Sequence, residues 1–155
     1  MAEAARRYNY SRPVVVQDNV IQIKKGRHPL QELCVDAFIP NDADFSATER
    51  VFLVTGANYS GKSVYLKQVA LIVYLAHVGS FVPAAEAVIG VTDKILTRIW
   101  TQESVSSSAS TFMVDLQQMS FALNHFTSRS LIVIDEFGKG TNADGISHPL
   151  LLMYS

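Results

Sequence analysis

A glycine-rich loop between two apolar segments places the tightest limit on how this chain can fold. Residues 55–63 read TGANYSGKS, preceded by the apolar run VFLV and followed by VYLKQVALIVYLAHV. The loop fits the pattern G-x-x-x-x-G-K-[S/T], which carries meaning only between a strand and a helix. The short apolar run before the loop is typical of a strand buried on both faces of a parallel sheet, and the longer run after it of a buried helix. The segment therefore predicts an α/β fold with a phosphate-binding loop.

The residue types in this loop are those that a nucleotide phosphate needs. The glycines let backbone N–H groups turn toward phosphate oxygens, and the next helix adds its positive N-terminal end. Lys62 would reach the β- and γ-phosphates and take part in catalysis, and Ser63 would hold Mg²⁺. The alternative is a glycine-rich turn that only caps a helix. The predicted nucleotide-binding residues of the loop are Gly56, Ala57, Asn58, Tyr59, Ser60, Gly61, Lys62 and Ser63.

A second acidic motif supplies the carboxylates that such a site requires. Residues 131–136 read LIVIDE, a short apolar strand that ends in two acids. Asp135 would bind Mg²⁺ through its water shell, since magnesium prefers hard oxygen ligands. Glu136 would polarise the attacking water as the catalytic base. Ligands commonly bind outside the carboxyl ends of parallel strands, which favours this hypothesis over a merely solvated strand end.

Strands and helices alternate along the rest of the chain. Apolar or β-branched runs predict strands, a helix over residues 63–78 is expected to stop at Gly79, and residues 26–30, 39–44 and 104–111 have turn or loop composition. A second helix is indicated by an apolar stripe at helical period. This alternation predicts a mainly parallel sheet with helices on its faces. The other predicted strands are 14–16, 20–23, 51–55, 80–82, 95–100 and 131–134, and the stripe consists of Phe112, Leu116, Met119, Leu123 and Phe126.

Composition narrows the function further. The net charge of −1 and a pI near 6.4 give no sign of a basic nucleic-acid surface in this segment. The single cysteine, Cys34, excludes an internal disulfide and fits a reducing compartment. The longest apolar run, 64–78, is interrupted by polar residues and is shorter than the about 20 residues of a membrane span, so no membrane partner is expected. The histidines, His28, His77, His125 and His148, lack metal-ligand spacing.

Several motifs in a fixed order carry a resemblance to a known family. GRHPL, FIPND, TGANYSGKSVYLKQVALI, GSFVPA, IGVTDKILTRI, STFMVDL and SLIVIDEFGKGTN resemble the ATPase domain of the MutS family over roughly residues 20–145. NYSGKS, ESVSSSASTFMVDL and DEFGKGTN are most similar to the meiotic branch, the fifth eukaryotic MutS homologue. The resemblance implies an ABC-type P-loop NTPase fold, ATP and Mg as cofactors, and two ATPase domains that dimerise around nucleotide to clamp DNA.

The resemblance also implies roles for single residues. The loop matches the family's phosphate loop, and the acidic pair its Walker B motif. Phe38 and Ile39 match the position that contacts adenine, for which the alternative from sequence alone is core packing. Ser110 matches a serine that faces the γ-phosphate of the other subunit, and its alternative is a helix N-cap. Asn58 would bridge the two subunits, and Lys139 is either a partner contact or an ordinary exposed lysine.

The chain departs from the family pattern after GKGTN. The sequence NADG stands one residue short of the family's Asp-Gly pair, and Pro149 fits poorly in the helix that the family continues with. We therefore expect an ATPase domain incomplete at the C-terminus: flanking segment 1–19, partial MutS-type ATPase domain 20–145 and divergent tail 146–155. The apolar LLLM of that tail would favour aggregation if nothing covered it.

Function follows from these features and the resemblance. The predicted function is ATP binding and hydrolysis in a DNA-binding protein of mismatch repair or meiotic recombination. Little turnover is expected from this chain by itself. DNA would be bound by regions outside this chain, the second subunit would be the fourth homologue, and the location would be the nucleus. The alternatives are another P-loop NTPase such as a small-molecule kinase, or an inactive truncated product.

Overall fold

The computed structural model describes residues 2–46, 48–57, 59–98, 108–135 and 150–154, and for residues 2, 108–112 and 150 the backbone alone. A 3-10 turn spans Gln31–Leu33. No helix within the described ranges is long and apolar enough to cross a membrane. The helices are α1 (Ala2–Arg7), α2 (Lys62–His77) and α3 (Ser108–His125), and the strands are β1 (Val14–Val16), β2 (Ile21–Gly26), β3 (Asn41–Phe45), β4 (Val51–Val54), β5 (Glu86–Gly90), β6 (Lys94–Arg98), β7 (Ser130–Ile134) and β8 (Leu150–Tyr154).

The strands form two mixed sheets. One has the order β1-β5-β2-β3 and the other β4-β8-β7-β6. Of the strand pairings that the structure describes, only β1 with β5 and β6 with β7 are parallel. The fold is α/β as expected, but the prediction of a mainly parallel sheet is wrong. The reason is that β2 and β3 pair with their neighbours in antiparallel fashion, as does β8.

Helix α2 joins the two sheets into one core. It contacts β2 of the first sheet and β7 and β8 of the second. Leu66, Val69 and Ile72 are completely buried on this helix, in one cluster with residues of both sheets. Burial of three branched side chains on one helix contributes roughly 1.5–3 kcal/mol each. Because α2 begins at the glycine-rich loop, this core fixes the position of the loop.

The predicted local structure is correct for one helix and several strands. β1, β4, β7 and α2 lie at the predicted positions, and Gly79 adopts a left-handed φ of 75° after α2. The turn predicted over 39–44 is wrong, because β3 alternates buried Ala43 and Phe45 with exposed aspartates. The strand predicted over 80–82 is also wrong: Val82 forms one isolated bridge with Ser11. Strand β5 was not predicted.

Two strands differ from expectation in their burial. β4 lies at the edge of its sheet, and its Val51 and Leu53 side chains are exposed, so burial on both faces is wrong. The apolar residues of the predicted tail form β8, which lies between β4 and β7. Leu152 and Tyr154 on β8 are fully buried. The described apolar side chains of the tail, from residue 151 on, are therefore buried or partly buried rather than exposed.

Helix α3 begins earlier and faces differently than the sequence indicates. It starts at Ser108, so residues 108–111 of the predicted loop are helical, while 104–107 lie outside the described residues. Leu116, Leu123 and Phe126 of the apolar stripe are exposed, whereas Asp115 is buried. The helical period of the apolar stripe correctly predicted that this segment is a helix. The stripe did not identify the face of the helix that is buried.

Candidate nucleotide-binding site

The loop between β4 and α2 has the backbone geometry of a cradle. Gly61, the residue before α2, has a left-handed φ of 93°, a conformation that favours glycine. A Cβ at Gly56 would stand 3.2 Å from the Ser60 hydroxyl, so a side chain there would crowd the loop. Tyr59 also has a positive φ of 64° and is fully exposed. Strained non-glycine backbone of this kind is frequent at ligand-binding sites.

Lys62 lies inside the loop. The residue is 8% exposed, and Nζ donates hydrogen bonds to the carbonyl oxygens of Gly56 at 2.7 Å and Ala57 at 2.8 Å. The ammonium group is therefore held against the loop by its own backbone. A positive charge at the start of a helix, where the first backbone N–H groups have no helical partner, is suited to binding an anion such as a phosphate.

Ser63 and Asp135 meet at the same end of the site. The Ser63 hydroxyl donates to Asp135 Oδ1 at 2.8 Å, and Asp135 is 5% exposed. One residue belongs to the first turn of α2 and the other follows β7. A hydroxyl and a carboxylate are hard oxygen donors, which magnesium prefers, so this pair fits the predicted Mg²⁺ ligands.

Phe38 and Ile39 lie beside the loop. They line a cavity of about 790 Å³ together with Tyr59, Gly61 and Lys62. Phe38 is half-buried and Ile39 is 81% exposed, so core packing does not explain Ile39. The volume is within the range of small-molecule sites, about 300–1,000 Å³. The structure thus brings the predicted adenine and phosphate residues to one cavity, although residues 40–54 separate them in sequence.

The role of His28 was not predicted. Its Nδ1 accepts hydrogen bonds from the backbone N–H groups of Leu30 and Gln31, both at 3.3 Å. Burial, and secondarily the charge of Lys67, lower the pKa of His28 below its ordinary value. A neutral imidazole is required, because only an unprotonated Nδ1 can accept these bonds. His28 therefore holds the 3-10 turn that leads into the cavity wall.

Arg98 and Asp115 were also missed. Arg98 Nε donates to Asp115 Oδ1 at 3.1 Å, Nη2 donates to Oδ2, and Nη1 donates to the backbone carbonyl of Asp135. Arg98 is 3% and Asp115 is 5% exposed. The available signal was an arginine within the strand predicted over 95–100 and an acid within a predicted amphipathic helix. Sequence alone does not indicate that they pair.

Some predicted residues lie outside the described part of the structure. These are Asn58, Glu136 and Lys139, together with the side chain of Ser110. The backbone of Ser110 lies in the first turn of α3, two residues after its start, so the N-cap alternative is wrong. The structure leaves the subunit-bridging, water-activating and γ-phosphate roles of these residues as predictions.

Comparison with known proteins places this site in a family. A model of MutS domain V matches residues 52–150, which include the loop and the acidic motif. This chain belongs to the MutS family. The MutS resemblance of the motifs is thereby confirmed, as is an ATPase domain of P-loop type, which is what MutS domain V is.

Relatives at high identity agree with this membership. The chain is 47% identical over 151 residues to the DNA mismatch repair protein MutS of Syntrophobacter fumaroxidans, covering 95% of this chain and 17% of that protein. It is 45% identical over 151 residues to the protein of the same name from Acetivibrio thermocellus, with the same coverage. For the MutS of Carboxydothermus hydrogenoformans the identity is 48% over 151 residues, which are 95% of this chain and 18% of the relative. The chain thus spans about a sixth of the length of the MutS proteins that it matches.

Proposed function

We propose that this chain binds Mg-ATP and forms the ATPase part of a MutS-type DNA mismatch repair protein. The observation that carries the proposal is the convergence of Lys62, the Ser63–Asp135 pair and Phe38 around one end of α2. A cation, two hard oxygen donors and an aromatic ring are the groups that phosphates, Mg²⁺ and a purine base require. Asp135 and Phe38 come from parts of the chain distant from Lys62 and Ser63, and a helix-capping turn would not require them there.

Each residue then has a physical role. Lys62 binds phosphate oxygens, and the backbone N–H groups of the loop orient them. Ser63 and Asp135 would hold Mg²⁺, which neutralises phosphate charge when it is bound. Phe38 and Ile39 contact the base, and Glu136 accepts a proton from the attacking water. Binding depends on Lys62 and Phe38, whereas turnover depends on Glu136.

The proposal for the whole protein extends beyond this chain. In it, ATP controls closure of two MutS subunits and their clamp on DNA, with Asn58 and Ser110 acting across the subunit contact. The names of the bacterial relatives support only the mismatch-repair part of this proposal, and the closure and clamp follow from the family resemblance of the motifs. The meiotic branch, a role in recombination, pairing with the fourth homologue and nuclear location remain predictions from motif resemblance alone. The relatives favour mismatch repair over meiotic recombination.

The alternatives differ in what they require. A small-molecule kinase is disfavoured because the chain belongs to the MutS family. An inactive product would retain the fold and fail to bind ATP. We expect binding by this chain but little turnover, because the proposed site needs the Ser110 hydroxyl of a second subunit.

Binding of a fluorescent ATP analogue to the full chain tests the proposal. Lys62→Ala should weaken binding in Mg²⁺ by about 10- to 100-fold, since a charge-assisted hydrogen bond contributes about 1.5–3 kcal/mol. Lys67→Ala is the matched control: this lysine is also on α2 but does not line the cavity. Glu136→Gln should bind like the wild type. Equal binding by wild type and Lys62→Ala would exclude the proposed phosphate site.

A further inference from the structure

A buried ion pair lies directly behind the carboxylate that is predicted to bind metal. Arg98 is the last residue of β6, and Asp115 is on α3. The guanidinium contacts both carboxylate oxygens, through Nε at 3.1 Å and through Nη2. Both side chains are at least nine-tenths buried. Such a two-point contact fixes the direction of the arginine as well as its position.

The same arginine binds both backbone polar groups of Asp135. The Asp135 N–H donates to the Arg98 carbonyl at 2.8 Å, and Arg98 Nη1 donates to the Asp135 carbonyl. β6 and β7 run parallel there, with Arg98 opposite Ile134. The backbone of Asp135 is therefore held on both sides of its Cα, just where the strand ends and the Asp135 side chain contacts Ser63.

Stability is a weak explanation for this arrangement. Removing two charges from water is costly, and apolar residues of similar volume often replace a buried ion pair with no loss of stability. The pair instead fixes the orientation of the Arg98 side chain, because a planar guanidinium that donates two hydrogen bonds to one carboxylate imposes angles that an apolar contact does not. The pair also connects α3 to the end of β7. Because Ser110 lies on α3, the pair links the helix of Ser110 with the carboxylate that is predicted to bind metal.

We propose that Arg98 and Asp115 are positioning residues of the nucleotide site. They fix the end of β7 so that the Asp135 carboxylate faces Ser63 in the orientation that Mg²⁺ binding requires. This inference rests on the proposed function. Neither residue lines the cavity that contains the loop, so they act through Asp135 and not on the nucleotide.

The test separates metal-dependent binding from binding as such. Affinity for a fluorescent ATP analogue is measured on the full chain in Mg²⁺ and in EDTA. The affinity in Mg²⁺ divided by the affinity in EDTA is the magnesium gain. Arg98→Lys and Asp115→Asn should reduce this gain by about 10-fold, as changes around metal ligands do, with the affinity in EDTA unchanged. Asp115→Glu, which keeps the carboxylate, should retain more of the gain than Asp115→Asn.

A double variant distinguishes loss of the positioning role from unfolding of the chain. Arg98→Met with Asp115→Leu replaces both charged side chains by apolar ones, so it should fold and still lose the magnesium gain. Far-UV circular dichroism and urea unfolding monitor the fold. Lys24→Met is the control for loss of an ion pair, because its pair with Asp42 is exposed at the surface.

The outcomes distinguish this inference from the proposed function. If the wild type shows no binding above Lys62→Ala, the proposed function fails and the inference with it. If the wild type binds and the folded double variant keeps the full magnesium gain, the positioning role alone is overturned. Equal loss of affinity in Mg²⁺ and in EDTA would also overturn it, because that result indicates general loosening of the structure.

Discussion

The Ser63 hydroxyl and the Asp135 carboxylate are 2.8 Å apart, although 72 positions separate them in sequence. The contact joins the start of α2 to the end of β7, and both elements are anchored in the same apolar core. The oxygen pair is therefore assembled by the protein itself. Burial of Asp135 makes the contact more costly to lose than an exposed one.

This pairing predicts a measurable coupling in the absence of nucleotide. The free energy of unfolding in urea is compared for Ser63→Ala, Asp135→Ala and the double variant. Hydrogen bonds to charged groups contribute about 1.5–3 kcal/mol. The losses of unfolding free energy in the two single variants, added together, should therefore exceed the loss in the double variant by about that amount. Strictly additive effects would contradict the contact.

The position of Phe38 predicts selective loss of base binding. Phe38→Ala should weaken ATP binding by about 5- to 150-fold, since stacking of a base on an aromatic ring contributes about 1–3 kcal/mol. Competition by inorganic tripolyphosphate should be unchanged, because the loop is intact. Phe81→Ala is the matched control, as Phe81 is partly exposed and does not line the cavity. Equal losses for ATP and tripolyphosphate would contradict a role at the base.

The contacts of His28 predict a pH-dependent contribution to stability. Its folded pKa lies below the ordinary 6.5 because of burial, so protonation favours the unfolded chain. The contribution is complete above pH 6.5 and is lost as the pH falls from there through the folded pKa. His28→Asn keeps an acceptor oxygen and does not titrate. Its free energy of unfolding should therefore fall less than that of the wild type between about pH 7.5 and about pH 5.5.

Replacement of an exposed histidine, His125→Asn, is the control for this measurement. Urea unfolding at the two pH values gives the comparison. Identical pH dependence of the wild type and His28→Asn would show that the imidazole is not held neutral by the fold.

The central position of β8 predicts a large effect from one leucine. Leu152 is completely buried and lies between Phe52 and Val133 of the neighbouring strands. Leu152→Ala should lower the free energy of unfolding by about 2–5 kcal/mol, as cavity-forming substitutions in cores do. Leu53→Ala on β4 is the matched control, and its side chain is 61% exposed. Effects of similar size for the two leucines would place β8 outside the core.

The sequence was most informative where a motif carried its own geometry. The loop, the helix after it and the strand before Asp135 were predicted because glycine conformations, helical capping and apolar runs are local signals. The contact of Phe38 and Ile39 with the same cavity was expected only from family resemblance. Their residue types alone favoured core packing, which the exposure of Ile39 does not support.

Other features were set by contacts between distant segments. The sequence predicts a turn in place of β3, because the aspartates of β3 obscure the alternation of Ala43 and Phe45. Only packing on the core shows which face of this strand is buried. The antiparallel position of β8 depends on β7, the strand before it in the chain, and also on β4, which is far away in sequence.

The sequence by itself determined the phosphate loop, its strand and helix, the acidic pair and membership of the MutS family, since these rest on short segments of fixed spacing. Only the tertiary structure decided which oxygens meet, that His28 holds the turn at the cavity wall, and that Arg98 ties Asp115 to Asp135. The physical reason is that such contacts arise when the core brings β6, β7, α2 and α3 together. No local propensity encodes which partner a buried polar group will find.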